Sequence, residues 1–250
     1  MNDQDELLKK RFIELAMRSY KENRYTFTNF LSLADLSVFF DAAKEIGSIA
    51  YTVYGGYEDS ERNMVRFGSE EELGYTEDFP LDILEISPVL EKFSDDLTHR
   101  DFLGALMNLG IERDVLGDIL LKGNKAYLIC LSSISEYIKS ELTKVKHTNI
   151  KIKNIDMLPK TDLYVPTESL IQAASLRVDA VISKVCNLSR NDSLKLFAEK
   201  KVFVNGRLME NNSKILSDGD KITVRGYGRF QVSEIVGTSK KGKLNIKVKR

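Results

Sequence analysis

Charge is segregated along this chain, and the segregation limits the folds open to it. The 250 residues carry 37 basic and 37 acidic side chains and a formal net charge of zero. Leu170 to Arg250 contains 17 of the basic and 7 of the acidic residues, a balance of +10; the other 169 residues hold 20 and 30, a balance of −10. One core under an evenly mixed surface does not give this division, whereas an acidic body joined to a separately folded basic module does. The basic part alternates apolar and polar residues between regularly placed turns, which distinguishes it from a disordered tail. A folded basic module on a larger body points first to nucleic acid. Charge alone also permits an acidic protein partner or a membrane surface.

The length suffices for one large domain or two to three small ones. The opening residues MNDQDELLKKRF are charged and lack the apolar core of a secretory signal. No stretch approaches the roughly 18 to 20 apolar residues of a membrane span. A cytoplasmic protein without a membrane span is therefore expected. Cys130 and Cys186 lie in separate apolar-periodic segments and read as free core thiols in a reducing compartment. With only His99 and His147 available, no metal site is expected, and no cofactor.

The hydrophobic pattern predicts an α+β chain. Residues 4–21 form an amphipathic pattern through Leu7, Leu8, Ile13, Leu15 and Ala16, and a second helix is predicted from Leu33 to Ile46, stopped by Gly47. IAYTVYGGYE and RNMVRFG predict a strand pair around Gly55-Gly56, closing an N-terminal α/β domain over 1–74 at the acidic run Glu70-Glu71-Glu72. A middle domain over 75–165 follows, with strands at 81–87, 117–121, 125–131 and 149–158 and helices at 98–111 and 134–145. That order, βαββαβ, is the ferredoxin-like arrangement shared with RNA-recognition domains. LPKTDLYVPTES (158–169) reads as a linker to a module over 170–250.

In the module, Ser175 is placed to cap a helix starting at Leu176, with Val178, Val181, Ile182 and Val185 on its apolar face. Arg177 and Lys184, seven residues apart, line up beside that face. Ser189-Arg190-Asn191-Asp192 resembles a capping box with Asp in place of Glu, opening a helix that buries Leu194, Phe197 and Ala198 and turns Asn191 and Lys195 outward. The free N–H groups at such a start attract phosphate, and Arg190 adds a forked donor. VFVNGR gives a strand and an Asn205-Gly206 turn, Asp218-Gly219 a second turn, and GKLNIKVKR a strand with one apolar and one cationic face. The candidate RNA-contacting residues are Arg177, Lys184, Ser189, Arg190, Asn191, Lys195, Lys200, Lys201 and Arg207.

Leu176-Arg177-Val178-Asp179, Leu188-Ser189-Arg190, Val202-Phe203-Val204-Asn205-Gly206 and Asp218-Gly219-Asp220 resemble the S4 RNA-binding domain, in order over about 60 residues. The family's Gly at the end of the second helix is replaced here by Lys200-Lys201. The segment from His99 to Gly110, Gly55-Gly56-Tyr57-Glu58 and Gly226-Tyr227-Gly228-Arg229-Phe230 extend the resemblance to the bacterial YlmH family. Membership implies three parts: an N-terminal α/β domain, an RNA-recognition-like middle domain and a C-terminal S4-type domain. It also implies a cytoplasmic, non-enzymatic RNA-binding factor, often encoded near cell-division genes. The implied partners are structured RNA (ribosomal RNA, and tRNA) and large ribosomal subunits carrying stalled peptidyl-tRNA, in ribosome-associated quality control. The N-terminal or middle domain is left to dock a protein partner.

Enzyme readings find little support in the residues. His99-Arg100-Asp101 resembles a kinase catalytic-loop triplet, but Asn108 is misplaced and neither a Gly-rich loop nor a D-F-G segment is present. The alternative that carries weight is an RNA-modifying enzyme of pseudouridine synthase or methyltransferase type, using the module to dock substrate. No G-x-G-x-x-G for a nucleotide or methyl donor is found, and no catalytic residue is assigned. KAYLICL stands where a typical RNA-recognition domain has its aromatic strand, so the middle domain is not expected to stack bases.

Overall fold

The computed structural model describes residues 3–58, 60–159, 167–239 and 242–250. Residues 160–166 of the expected linker lie outside the described residues. The chain divides into two compact units, with the division between residues 164 and 165.

The first unit opens with α1 (Asp3–Glu22), which buries Phe12, Leu15, Ala16 and Ser19 at i, i+3, i+4, i+7 spacing. This stripe lies C-terminal to the expected one, and Leu7 is 71% exposed. Ser19 tolerates burial because its hydroxyl donates to the Phe67 carbonyl at 3.1 Å. Next come β1 (Thr26–Phe27), α2 (Leu33–Ile46), β2 (Tyr51–Tyr54) and β3 (Met64–Phe67), the strands forming an antiparallel sheet in the order β1-β3-β2. Two residues in β1 are too few to show a periodicity, so the expected pair is a three-stranded sheet. Ser32 and Asp35 cap α2 reciprocally. Phe39 meets Phe12 and Phe67 edge to face, with ring centroids 5.5 and 5.9 Å apart. The acidic run is a single helical turn, α3 (Glu70–Leu73), with Ser69 as cap and three carboxylates at its positive end.

Still within this unit, β4 (Leu81–Pro88), α4 (His99–Asn108), β5 (Leu116–Lys122), β6 (Lys125–Leu131), α5 (Ser132–Glu141), β7 (Lys144–Val145) and β8 (Thr148–Ile155) follow. The βαββαβ order is present with β7 added, and the antiparallel sheet runs β5-β6-β4-β8-β7. The expected helix to residue 145 stops at Glu141. Leu142 and Val145 instead turn into the core and β7 pairs with β8 around Lys146, whose φ is 52°. One sheet face packs on α4 and α5 through Leu84, Ile86, Leu128, Cys130, Phe102 and Ile138. Part of the other face, Ile83 and Ile129, lies under Phe30 and Met64. Gly117 makes that approach possible: a Cβ there would sit 2.9 Å from the Phe30 ring and 3.1 Å from Ile129.

The second unit contains β9 (Glu168–Ala173), α6 (Val178–Val185), α7 (Arg190–Ala198), β10 (Val202–Val204), β11 (Arg207–Leu208), β12 (Lys221–Val224), β13 (Gly228–Thr238) and β14 (Leu244–Lys249). The six-stranded antiparallel sheet runs β11-β10-β12-β13-β14-β9. Glu168 and Ser169, read from sequence as linker, are strand residues: β9 pairs with β14 along its whole length. Ile171 and Ala173, with Val202, Val204, Ile222, Val224, Phe230 and Ile246, face Val178, Val181, Ile182 and Phe197 of the helices.

Two glycines of the first unit separate packing from propensity. Gly117→Ala should cost about 1–3 kcal/mol by forcing Phe30 off a filled site. Gly104, exposed in α4 with nothing near its Cβ position, should gain about 0.5–1 kcal/mol on change to Ala. Urea titrations of the two variants should move in opposite directions.

Candidate nucleic-acid interface

The start of α6 is built from a loop rather than from a serine cap. Arg177 occupies the N-cap with no side-chain capping bond, and the helix begins at Val178 instead of Leu176. The Val178 and Asp179 N–H groups donate to the carbonyls of Lys214 and Asn212 at 2.9 and 3.3 Å. Arg177 also bridges to Ile215. Ser175 Oγ takes only the Arg177 N–H, at 3.4 Å, while the segment 212–215 satisfies the next two donors and sets Lys214 beside Arg177.

Asp179 is the organising group. It is 3% exposed and accepts from the Arg177 guanidinium twice, at 3.0 and 2.7 Å, and from the Ala180 N–H at 2.8 Å. Hydrogen bonds from Arg177 hold its carboxyl below the ordinary 3.8; burial opposes this, while the charges of Arg177 and Arg190 assist. Its carbonyl accepts from Ser193 Oγ at 2.9 Å, tying α6 to α7. Arg177 is thus not the solvated cation expected from its spacing to Lys184. It is a structural guanidinium with part of its surface still open.

The start of α7 differs in detail from the expected box. Ser189 Oγ accepts from the Asp192 N–H at 3.1 Å, but its own proton goes to the Asp192 carboxylate at 2.7 Å, so only half of the reciprocal box forms. Asp192 also holds Lys195 at 2.9 Å, and these bonds keep its carboxyl below the usual range. A carboxylate already sits at the positive end of α7, which weakens the appeal of the bare helix start for phosphate. Anion contact there falls to the exposed Arg190, with exposed Asn191 beside it. The buried side of α7 is Ser193, Leu196 and Phe197, with Ala198 exposed. The helix is rotated from the expected face because Ser193 is drawn inward to Asp179.

At the exit of α7, Lys200 N–H donates to Phe197 O at 3.0 Å and Lys201 N–H to Leu196 O at 2.9 Å, a Schellman pair. Lys200 takes the left-handed position itself, at φ 53°, where the S4 pattern places Gly. Lys201 lies 2.6 Å from Glu199, and Lys200 3.9 Å from Glu210. Arg207 is exposed at the start of β11, opposite Val204 across the Asn205-Gly206 turn.

The structure therefore gathers Arg177, Asp179, Arg190 and Lys214 around the start of α6, with Ser189, Asn191, Asp192 and Lys195 on α7. Lys184 sits in the last turn of α6, away from Arg177. Lys200, Lys201 and Arg207 form a second locality beyond α7. Among the described residues, Lys184, Arg190 and Lys214 have no ion-pair partner, so their charge is available to an anion. Lys214 was missed by sequence reasoning because it lies in a loop with no periodicity. Asp179 was named within the Leu176–Asp179 motif but given no role; its pairing with Arg177 shows only in the folded structure. Arg225 was also missed; it stacks over Phe203, 5.0 Å from the ring centroid.

In the first unit, Cys130 is buried and its thiol is pushed up to about 12 by desolvation. His99, at the start of α4, is held below its ordinary value by burial and then by the Arg113 charge. Asp101 is held at about 2 by Lys146 and Thr98, a helix-cap role.

Arg177→Ala should lower the melting temperature by several degrees, because Asp179 keeps its burial and loses its partner. In the parent chain the depressed carboxyl contributes stability that is complete above 3.8 and is lost as pH falls through its folded value. Thermal melts across that range should show this acid-side loss in the parent and not in the variant. Lys200→Gly should raise stability by about 0.5–1 kcal/mol by relieving the left-handed turn, measured by urea titration.

Residues 75–158 match the family described as "Putative RNA-binding domain in YlmH". The chain is 28% identical over 234 residues to "Ribosome-associated protein quality control protein P2" of Bacillus subtilis (strain 168), covering 92% of this chain and 89% of the relative. A solved structure, "Cell division protein ylmH from Streptococcus pneumoniae", is similar at a TM-score of 0.52 and 21% identity, covering 65% of this chain and 97% of that one. That structural likeness is one of fold. With residues 75–158 matched by that family model and a relative matched along nearly its whole length, the chain is similar to the YlmH family over most of its length.

Proposed function

We propose that this chain is a non-catalytic RNA-binding factor associated with ribosomes, and that its second unit is an S4-type domain carrying most of the affinity. The observation that carries the proposal is the cationic helical face around Asp179. One carboxylate is spent on Arg177, leaving Arg190 and Lys214 near it, and Lys184 in the last turn of α6, without acidic partners on a unit with nine excess positive charges. A fixed carboxylate that orients one arginine and leaves others open suits a phosphate backbone held in one register. The first unit supplies the RNA-recognition-like βαββαβ fold. The name of the Bacillus subtilis relative supports a place in ribosome-associated quality control. The partners proposed are structured ribosomal RNA and tRNA, on large subunits with stalled peptidyl-tRNA, in the cytoplasm. Among the described residues no helix is long and apolar enough to cross a membrane.

Charge reversal of Lys184 and Arg190 together should cut co-sedimentation with large ribosomal subunits on the order of tenfold or more at moderate salt. The melting temperature should barely move, because both side chains are exposed and unpaired. Binding unchanged in this variant would remove the helical face from the site. Nucleosides recovered from RNA incubated with the protein, with and without a methyl donor or ATP, should be unmodified by mass spectrometry; a new stoichiometric modification would overturn the non-catalytic reading.

A further inference from the structure

The outer face of the β5-β6-β4-β8 sheet is organised in cross-strand rows. Lys122 of β5 lies opposite Lys125 of β6, and Ser87 of β4 lies opposite Lys151 of β8. The register Ile86 to Ala126 sets Ser87 next to Lys125, so Lys122, Lys125, Ser87 and Lys151 form one row across four strands. At roughly 4.8 Å per strand the row spans about 14 Å. Two residues along, the next row is Leu120, Tyr127, Glu85 and Lys153. In the third, Ile129, Ile83 and Ile155 belong to the cluster formed with Phe30 and Met64. Beyond the part under Phe30 and Met64, this face carries exposed Lys122 and Lys151 and half-buried Lys125, with Ser87 and Tyr127 buried among them.

Three lysines in one row are not what stability alone selects. Like charges directly opposite each other, as Lys122 and Lys125 are, destabilise a sheet. The surrounding sequence has acid to spare, with 30 acidic against 20 basic residues before Leu170. The acid of the next row, Glu85, is engaged by Lys153 at 3.4 Å. Ser87, Lys125 and Lys151 also line an open groove of about 530 Å³ with Glu85, Glu91 and Lys153. Tyr127, the aromatic side chain of these rows, is only 4% exposed and offers no face for a base.

We propose that this row is a second RNA-contacting surface, one that grips the phosphate backbone without reading bases. Charge complementarity selects the occupant: Lys125 and Lys151, on strands about 10 Å apart, offer two cationic contacts to the phosphates of one strand, and the buried Tyr127 excludes the stacking used by base-reading sheets. The proposal rests on the reading of the chain as an RNA-binding protein and adds a site in the unit whose overall charge opposes RNA.

The test uses the full chain and an RNA hairpin of about 20 base pairs as probe. Amine-reactive labelling of the parent chain, read by mass spectrometry, should show Lys125 and Lys151 protected by RNA while Lys10 and Lys21 on α1 are not. Lys125→Glu with Lys151→Glu should weaken binding about five- to tenfold and reduce the salt slope by about 1.5 to 2, the value for two phosphate contacts. Equal labelling with and without RNA overturns the proposal even if the glutamate variant misfolds. Loss of binding confined to the Lys184/Arg190 reversal also overturns it, while leaving the proposed function standing. Loss confined to the Lys125/Lys151 variant supports this surface and removes the helical face. A parent chain that fails to bind the hairpin overturns both.

Discussion

A single carboxylate with almost no contact with water governs the basic unit. Asp179 is acidic in a region selected for positive charge, yet it is the group through which that charge becomes ordered. Its two bonds to Arg177 hold the guanidinium at the mouth of α6, and its backbone carbonyl, bonded to Ser193, fixes how α7 lies on α6. The loop that covers the first N–H groups of α6 brings Lys214 to the same place. Burying a charge is costly unless its bonds are satisfied. Three donors satisfy Asp179, and the arrangement leaves it one stable geometry.

Much of this was legible in the sequence, and the failures have physical causes. The long helices were readable from their apolar spacing and, for α2, the Gly47 stop, and the structure adds reciprocal caps from Ser32 with Asp35 and Thr98 with Asp101. Strands β5 and β6 were readable as two short apolar runs around the turn at Lys122-Gly123-Asn124. What escaped was decided by tertiary contacts. β1 has two residues, β7 interrupts a good helical pattern because Val145 is wanted in the core, and β9 exists only because β14 pairs with it. At the candidate interface, sequence spacing located the cations but not their partners. Ion pairing depends on which acid folds against which base, so Arg177 and Lys195 looked as free as Lys184 and Arg190.

The first unit shows how one fold can be kept while its usual working surface is divided. Phe30 and Met64 cover the apolar half of the βαββαβ sheet, and Gly117 has no side chain to prevent it. A face that would otherwise be open becomes an internal interface, and the remaining end is polar.

The pairing of β9 with β14 also sets an order of events. Thr167 and Arg250 exchange backbone hydrogen bonds across 83 positions, so the strand that opens the basic unit has no strand to pair with until β14 has been synthesised. Contacts this distant in sequence close late, because their loop entropy must be met before they stabilise anything. The helical face can assemble earlier from α6, α7, β10 and the 212–215 segment that covers the start of α6, all closer in sequence than β9 is to β14. A nascent chain would therefore carry its cationic surface before its sheet is complete, with β9 as an open edge exposed to other strands during its own translation.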